Sequence, residues 1–172
     1  MSIQKLVENI KAKGNPTVAG LDARLEYIPD CLTEDIRREY GATLDGAANA
    51  MLRFNFGLID ALCDIVPAIK PQAAYYELLG PAGARVLLAT IRYAQDKGMY
   101  VIADIKRNDI GATASAYAEA YLGRSSVWGE ELPVYDCEAA TVNAYLGTDG
   151  IEPFLKECRA REKSIYVPVS YT

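Results

Sequence analysis

The chain of 172 residues has no histidine, and its four cysteines, Cys31, Cys63, Cys137 and Cys158, lie far apart with no CxxC pair. A thiolate–histidine nucleophile and a typical zinc site depend on those residues, so neither is expected. The cysteines read instead as small buried residues of a reduced protein. No GxGxxG or GxxxxGK[ST] follows a predicted strand, which leaves a dinucleotide fold or a P-loop without support. No stretch approaches the roughly 18 apolar residues of a membrane span. The opening MSIQKLVENIKAKGNPTVAG lacks a continuous apolar segment of the signal-peptide kind. The net charge of −5 argues against a general nucleic-acid partner, while leaving room for a local basic pocket that takes a small anion. With 51% apolar residues, the expectation is one cytoplasmic domain over 1–172, with no membrane and no nucleic-acid partner.

What is present is an alternation of apolar runs and amphipathic segments. Ser2 to Lys13 reads as a helix through Ile3, Leu6, Val7 and Ile10, stopped by Gly14, Asn15 and Pro16. Thr17 to Leu21 reads as a strand ending at Asp22. A helical region from Thr33, broken near Gly41 or Gly46, continues through Ala47, Met51, Phe54, Leu58 and Leu62 at helical spacing. Ile65 to Lys70 is a second strand, ending on a lysine. Arg85 to Lys97 is a helix closed by Gly98, Tyr100 to Ile105 a third strand, and 124–137 a loop insertion. Ala139 to Asn143, a helix over Ile151 to Ala160, and a Pro168-interrupted strand over Ser164 to Val169 complete the pattern. Alternation of this kind implies an α/β fold with a mainly parallel sheet, and polar residues gather where such sheets place their sites, at the carboxyl ends of strands.

The densest chemistry lies between Met99 and Gly123. Every second residue of a strand falls on one face, so Asp104 and Lys106 point the same way, about 6.5 to 7 Å apart along the strand. Asn108 and Asp109 are expected at the N-cap of a helix through Ile110, Ala114, Tyr117 and Tyr121. Read plainly, this is a strand-end salt bridge and a helix cap. Ile102 on the same face is apolar, however, and charges on an apolar face must be paired to survive desolvation. Such arrangements gather at functional sites. Asp22 is either a turn residue or a strand-end carboxylate suited to gripping substrate hydroxyls, and Lys70 repeats its position.

Four segments, GLDAR at 20–24, AIKPQAAYYELLG at 68–80, VIADIKRNDIGATASAYAEAYLG at 101–123 and TVNAYLGTDGIEPFL at 141–155, resemble the longer bacterial form of the orotidine 5′-phosphate decarboxylase family. Ala23 stands where that family commonly has proline. The resemblance implies a homodimeric (β/α)8 TIM barrel that converts orotidine 5′-monophosphate to uridine 5′-monophosphate without cofactor or metal, as a lyase of pyrimidine biosynthesis. It implies that Lys70, Asp104, Lys106 and Asp109 form the catalytic charged network, with Asp109 entering the partner subunit's site. Asp22 and Lys70 would hold ribose hydroxyls of the nucleotide substrate, and Thr113 would reach the partner's nucleotide. Related magnesium-dependent sugar-phosphate decarboxylases and aldolases share the DxKxxD strand but carry a carboxylate where this chain has Lys70.

A complete barrel needs eight strands and typically about 250 residues. The sequence shows five, which reads as an incomplete barrel of about five β/α units. The fifth ends in VPVSYT rather than the family's TSN-like segment. By resemblance the phosphate loops and their arginine belong after strands seven and eight. The expectation is therefore the N-terminal portion of a decarboxylase, functional only when whole. The alternatives are a non-catalytic remnant serving as a dimerising or interaction module, and a free-standing open sheet. Five strands of a closed barrel would leave two unpaired edges, inviting association with another chain.

Overall fold

A computed structural model describes residues 2–169. Helix α1 (Ser2–Lys13) precedes β1 (Val18–Leu21); a short 3-10 turn, α2 (Asp30–Tyr40) and α3 (Leu44–Leu62) lead to β2 (Ala68–Pro71). The short α4 (Ala73–Glu77) and α5 (Gly80–Asp96) precede β3 (Tyr100–Arg107), and α6 (Gly111–Tyr121) follows it. Strands β4 (Ser125–Val127) and β5 (Glu130–Leu132) form a separate antiparallel hairpin; then come β6 (Ala139–Val142), α7 (Thr148–Arg161) and β7 (Ser164–Tyr166). The main sheet is parallel throughout, in the order β1-β2-β3-β6-β7.

The two faces of this sheet have different partners. Leu21, Ile69, Val101, Ala103, Ile105, Ala140 and Val142 point outward and pack against Met51 and Ile59 of α3, Val86, Leu87 and Ile91 of α5, and Phe154 of α7. On the inner face, Ala68, Tyr100, Ile102 and Ala139 form a second, smaller apolar cluster closed by Leu6 of α1. Helix α1 lies across the amino-terminal ends of the strands. Lys5 Nζ meets Glu138 at 2.5 Å, Asn9 Nδ2 donates to the carbonyls of Pro67 and Gly98, and Lys13 Nζ donates to that of Val66. One end of the inner face is thereby sealed, and the charged residues lie at the other.

Several boundaries differ from expectation. The second helical region starts at Asp30, where Pro29 presets the backbone, and breaks at Gly41, whose φ of 65° suits glycine. The second strand starts three residues late, because Ile65 and Val66 are held in a turn by the carbonyl of Leu62. Residues 124–137 are not simply a loop: Trp128 and Gly129 both have positive φ and close the β4–β5 hairpin. The helix expected over Ile151 to Ala160 begins at Thr148 and ends at Arg161. The last strand stops at Tyr166, before Pro168, which has no amide hydrogen for the ladder; the final residues of the VPVSYT segment, 170–172, lie outside those described. Of the cysteines only Cys137 is buried. Cys63 and Cys158 are half-buried and Cys31 is exposed.

Candidate active site

Strand order brings the carboxyl ends of β1, β2, β3 and β6 side by side, and with them Asp22, Lys70, Asp104, Lys106 and Thr141. Asp104 is the centre. Its side chain is 5% exposed, and its two oxygens accept four hydrogen bonds. Oδ2 receives Lys70 Nζ at 2.7 Å and Gln72 Nε2 at 3.0 Å. Oδ1 receives the Lys106 ammonium and, at 2.8 Å, the Thr141 hydroxyl. A carboxylate offers about four lone-pair sites, so this one is saturated. Burial alone would push the Asp104 carboxyl up, but the bonds from Lys106, Lys70 and Thr141 outweigh it and hold the group below the usual carboxylate range.

The two ammonium groups are only partly covered, each side chain being 32% exposed. An ammonium has three protons to donate; Lys106 gives one to Asp104. Asp22 extends the row, its Oδ1 lying 3.8 Å from Lys70 Nζ on a half-exposed side chain. Charges of alternating sign therefore run Asp22, Lys70, Asp104, Lys106.

Lys106 reaches Asp104 by a route that simple strand alternation does not describe. Its φ is +47°, the left-handed region that a lysine rarely adopts. Such a conformation costs on the order of 1 kcal/mol or more and persists where neighbours enforce it. The pairing of β3 with β6 shifts register at the same place, between Ala103 and Arg107. The pair expected from alternation is thus present, held by a bulge.

Among the described residues, neither Asp109 nor Thr113 is bonded to this cluster. The N-cap of α6 is Ile110, not Asn108 or Asp109; Asp109 Oδ1 accepts from the Ile110 amide at 2.8 Å, one position ahead of the helix. The chain is still extended at Ile110, so the helix begins one position later than Asn108 and Asp109 suggested. Thr113 is exposed on the first turn, beside Ile110, whose large apolar side chain is also exposed. The sequence assigns neither Gln72 nor Thr141 a place in the charged cluster. Both lay inside the segments of resemblance, yet neither type advertises a role until its partner across the sheet is known.

Among the described residues, no group of three or more Cys, Asp or Glu side chains is arranged to hold a metal ion, and no helix is long and apolar enough to cross a membrane. The fold defines a class: a parallel β/α barrel arc, here with a charged cluster at the carboxyl edge of its strands. Residues 49–171 match the orotidine 5′-phosphate decarboxylase / HUMPS family, and the chain belongs to that family. The orotidine 5′-phosphate decarboxylase of Rhodopirellula baltica is 44% identical over 160 residues, covering 91% of this chain and 50% of that protein. That of Caldicellulosiruptor saccharolyticus is 36% identical over 165 residues, covering 96% and 54%. The solved structure of Leishmania donovani OMP decarboxylase superposes with a TM-score of 0.72 at 26% identity, over 99% of this chain and 55% of that one. The chain spans about half the length of the curated relatives it matches.

Proposed function

We propose that the protein carrying these residues decarboxylates orotidine 5′-monophosphate to uridine 5′-monophosphate, with Lys106 as proton donor and no cofactor. One observation carries the reading: a buried carboxylate, Asp104, fixes two partly exposed ammonium groups side by side at the strand ends. Loss of carbon dioxide breaks a carbon–carbon bond on the pyrimidine ring and leaves the electron pair on the ring carbon. That pair lies in the ring plane and cannot delocalise into the ring. A cation held in advance beside the carbon stabilises it, without reorganisation at the moment of reaction. Lys106 then donates a proton to the same carbon and is left as a neutral amine.

In this reading Asp104 aims both ammonium groups, and Asp22 with Lys70 grips the ribose hydroxyls. Lys70 also argues against the magnesium-dependent relatives, because it sets an ammonium against Asp104 where those enzymes present a second carboxylate. We assign Asp109 and Thr113 to the site of a partner subunit in a cytoplasmic homodimer. The exposed Ile110 between them supports that placement.

The test is Lys106→Ala in the full-length protein. Decarboxylation falls by at least about a thousandfold, the combined scale of a lost general acid and a lost electrostatic stabiliser, while uridine 5′-monophosphate still binds. Equal losses in Lys106→Ala and in a substitution of the remote, exposed Lys11 would remove Lys106 from its role.

A further inference from the structure

We propose that Thr141 is a positioning residue for Lys106: one hydroxyl oxygen holds both the bulged backbone from which the lysine springs and the carboxylate to which its ammonium binds. The inference rests on the reading of Lys106 as proton donor and adds a residue to it.

The register of the sheet explains why a hydroxyl is needed. Strands β3 and β6 pair at Ile102 with Ala139 and at Ala103 with Ala140, and next at Arg107 with Val142. Between the last two pairs β6 supplies only Thr141, while β3 supplies Asp104, Ile105 and Lys106. Two residues of β3 are surplus, and their amide hydrogens have no carbonyl in step to receive them. The Thr141 side chain takes that place. Its Oγ1 accepts from the Ile105 amide at 3.0 Å and from the Lys106 amide at 3.0 Å.

Counting then fixes the third bond. A hydroxyl has two lone pairs and one proton. Main-chain amides can only donate, so both lone pairs are engaged, and the proton must go to Asp104 Oδ1 at 2.8 Å. No freedom to rotate remains. The left-handed φ of Lys106 and the carboxylate that receives its Nζ are therefore referenced to the same atom. A lysine side chain has four rotatable bonds, and fixing it at both ends limits where its remaining protons can stand. Placement of that kind separates a reactive donor from a merely nearby one. Thr141 is itself buried beneath the charged row, so it acts through Lys106 and Asp104.

The experiment compares Thr141→Val, which keeps shape and loses the hydroxyl, with Thr141→Ser, which keeps the hydroxyl, in the full-length protein. Thr141→Val lowers kcat by about ten- to a hundredfold, with KM for orotidine 5′-monophosphate changed less than about threefold, as expected when bonds to a charged group are lost. Thr141→Ser restores kcat to within about threefold of the parent. In Thr141→Val the Ile105 and Lys106 amides exchange hydrogen at least about tenfold faster, while the Ala103 amide in the same strand keeps its rate. Wild-type kcat in Thr141→Val, a loss that serine does not repair, or unchanged exchange at Ile105 and Lys106 each overturns the inference. The exchange measurement needs no turnover: a parent protein that does not decarboxylate the nucleotide sinks the functional reading, and the exchange result still judges the hold of Thr141. If Thr141→Val does not fold, Thr141→Cys, with its weaker donor and acceptor, is judged by the same criteria.

Discussion

Asp104→Asn isolates the charge at the centre of the site while keeping its shape. The amide retains one acceptor oxygen and replaces the other with a donor, and every neighbour of Asp104 is already a donor. If the new NH2 replaces Oδ2 it faces Lys70 Nζ and Gln72 Nε2; if it replaces Oδ1 it faces Lys106 Nζ and a Thr141 hydroxyl whose lone pairs are both taken. Either orientation breaks two hydrogen bonds, and the two ammonium groups lose the negative charge between them. Breaking a buried ion pair from one side costs about 3–5 kcal/mol when both partners are dry. Here each lysine side chain is 32% exposed and can be rehydrated, so the expected loss is smaller, about 2–3 kcal/mol at pH 7. Urea unfolding of parent and variant at a series of pH values measures it. The folded-state pKa of Asp104 is lowered, so its contribution is fully present above the unfolded value of about 3.9 and disappears as pH falls through the folded value. The gap between parent and variant is therefore constant from pH 7 to about pH 5 and narrows in acid below about pH 4. A gap under about 0.5 kcal/mol at pH 7, or one that widens in acid, would refute the account of Asp104 as a carboxylate stabilised by its four donors.

Two further perturbations probe what holds the strand ends in place. Gly83→Ala sets a methyl group 1.8 Å from the carbonyl oxygen of Tyr76 and 2.7 Å from its carbonyl carbon, so α5 can no longer lie against α4. A loss of about 3 kcal/mol or more is expected in urea unfolding, and a stability within about 0.5 kcal/mol of the parent would contradict the close approach. Tyr76→Phe removes a fully buried hydroxyl that accepts from Asn55 Nδ2 at 2.9 Å, leaving Asn55 only Thr90 Oγ1 at 3.1 Å. It should cost about 1–2 kcal/mol by the same measurement, with kcat unchanged because the network lies on the outer side of the sheet; a drop in kcat without a drop in stability would show that it does not.

Much of the frame was legible because it is written in local patterns. Apolar positions at helical spacing marked α1, α3 and α5, and short apolar runs ending on Asp22, Lys70 and Asn143 marked the strands and the end of the sheet that matters. What stayed hidden depends on partners distant in sequence. Strand alternation put Asp104 beside Lys106, yet the contact is made through a bulge, and no residue type at 104–106 signals a left-handed lysine. That signal lies in the register with β6, as does the role of Thr141. The β4–β5 hairpin escaped notice because its two-residue turn carries Trp128 where asparagine or aspartate usually announces such a turn. Asn108 and Asp109 before α6 looked like a cap because asparagine and aspartate are favoured caps, whereas the structure engages Asp109 with the Ile110 amide one position earlier.

The vertical order of groups on the inner face bears on the anionic nucleotide proposed as substrate. At the amino-terminal end the face is apolar: Tyr100, Ile102, Ala68 and Ala139 are buried under Leu6. Asp104 follows that layer along β3 and is the least exposed of the cluster's charged groups, while the Lys70 and Lys106 side chains paired with it stay partly exposed. A carboxylate in that position is tolerable only because its four donors neutralise it. In return it pins two long, flexible cations that would otherwise trade their positions for water. Inverting the order, with ammonium groups below and the carboxylate above, would keep the same ion pairs and much of the same stability. It would also present negative charge to the anionic nucleotide proposed as substrate, and bury the lysine proposed as proton donor. Ion pairing alone therefore does not account for the arrangement: the depth of Asp104 relative to its lysines is what converts a strand-end salt bridge into a site with cations facing outward.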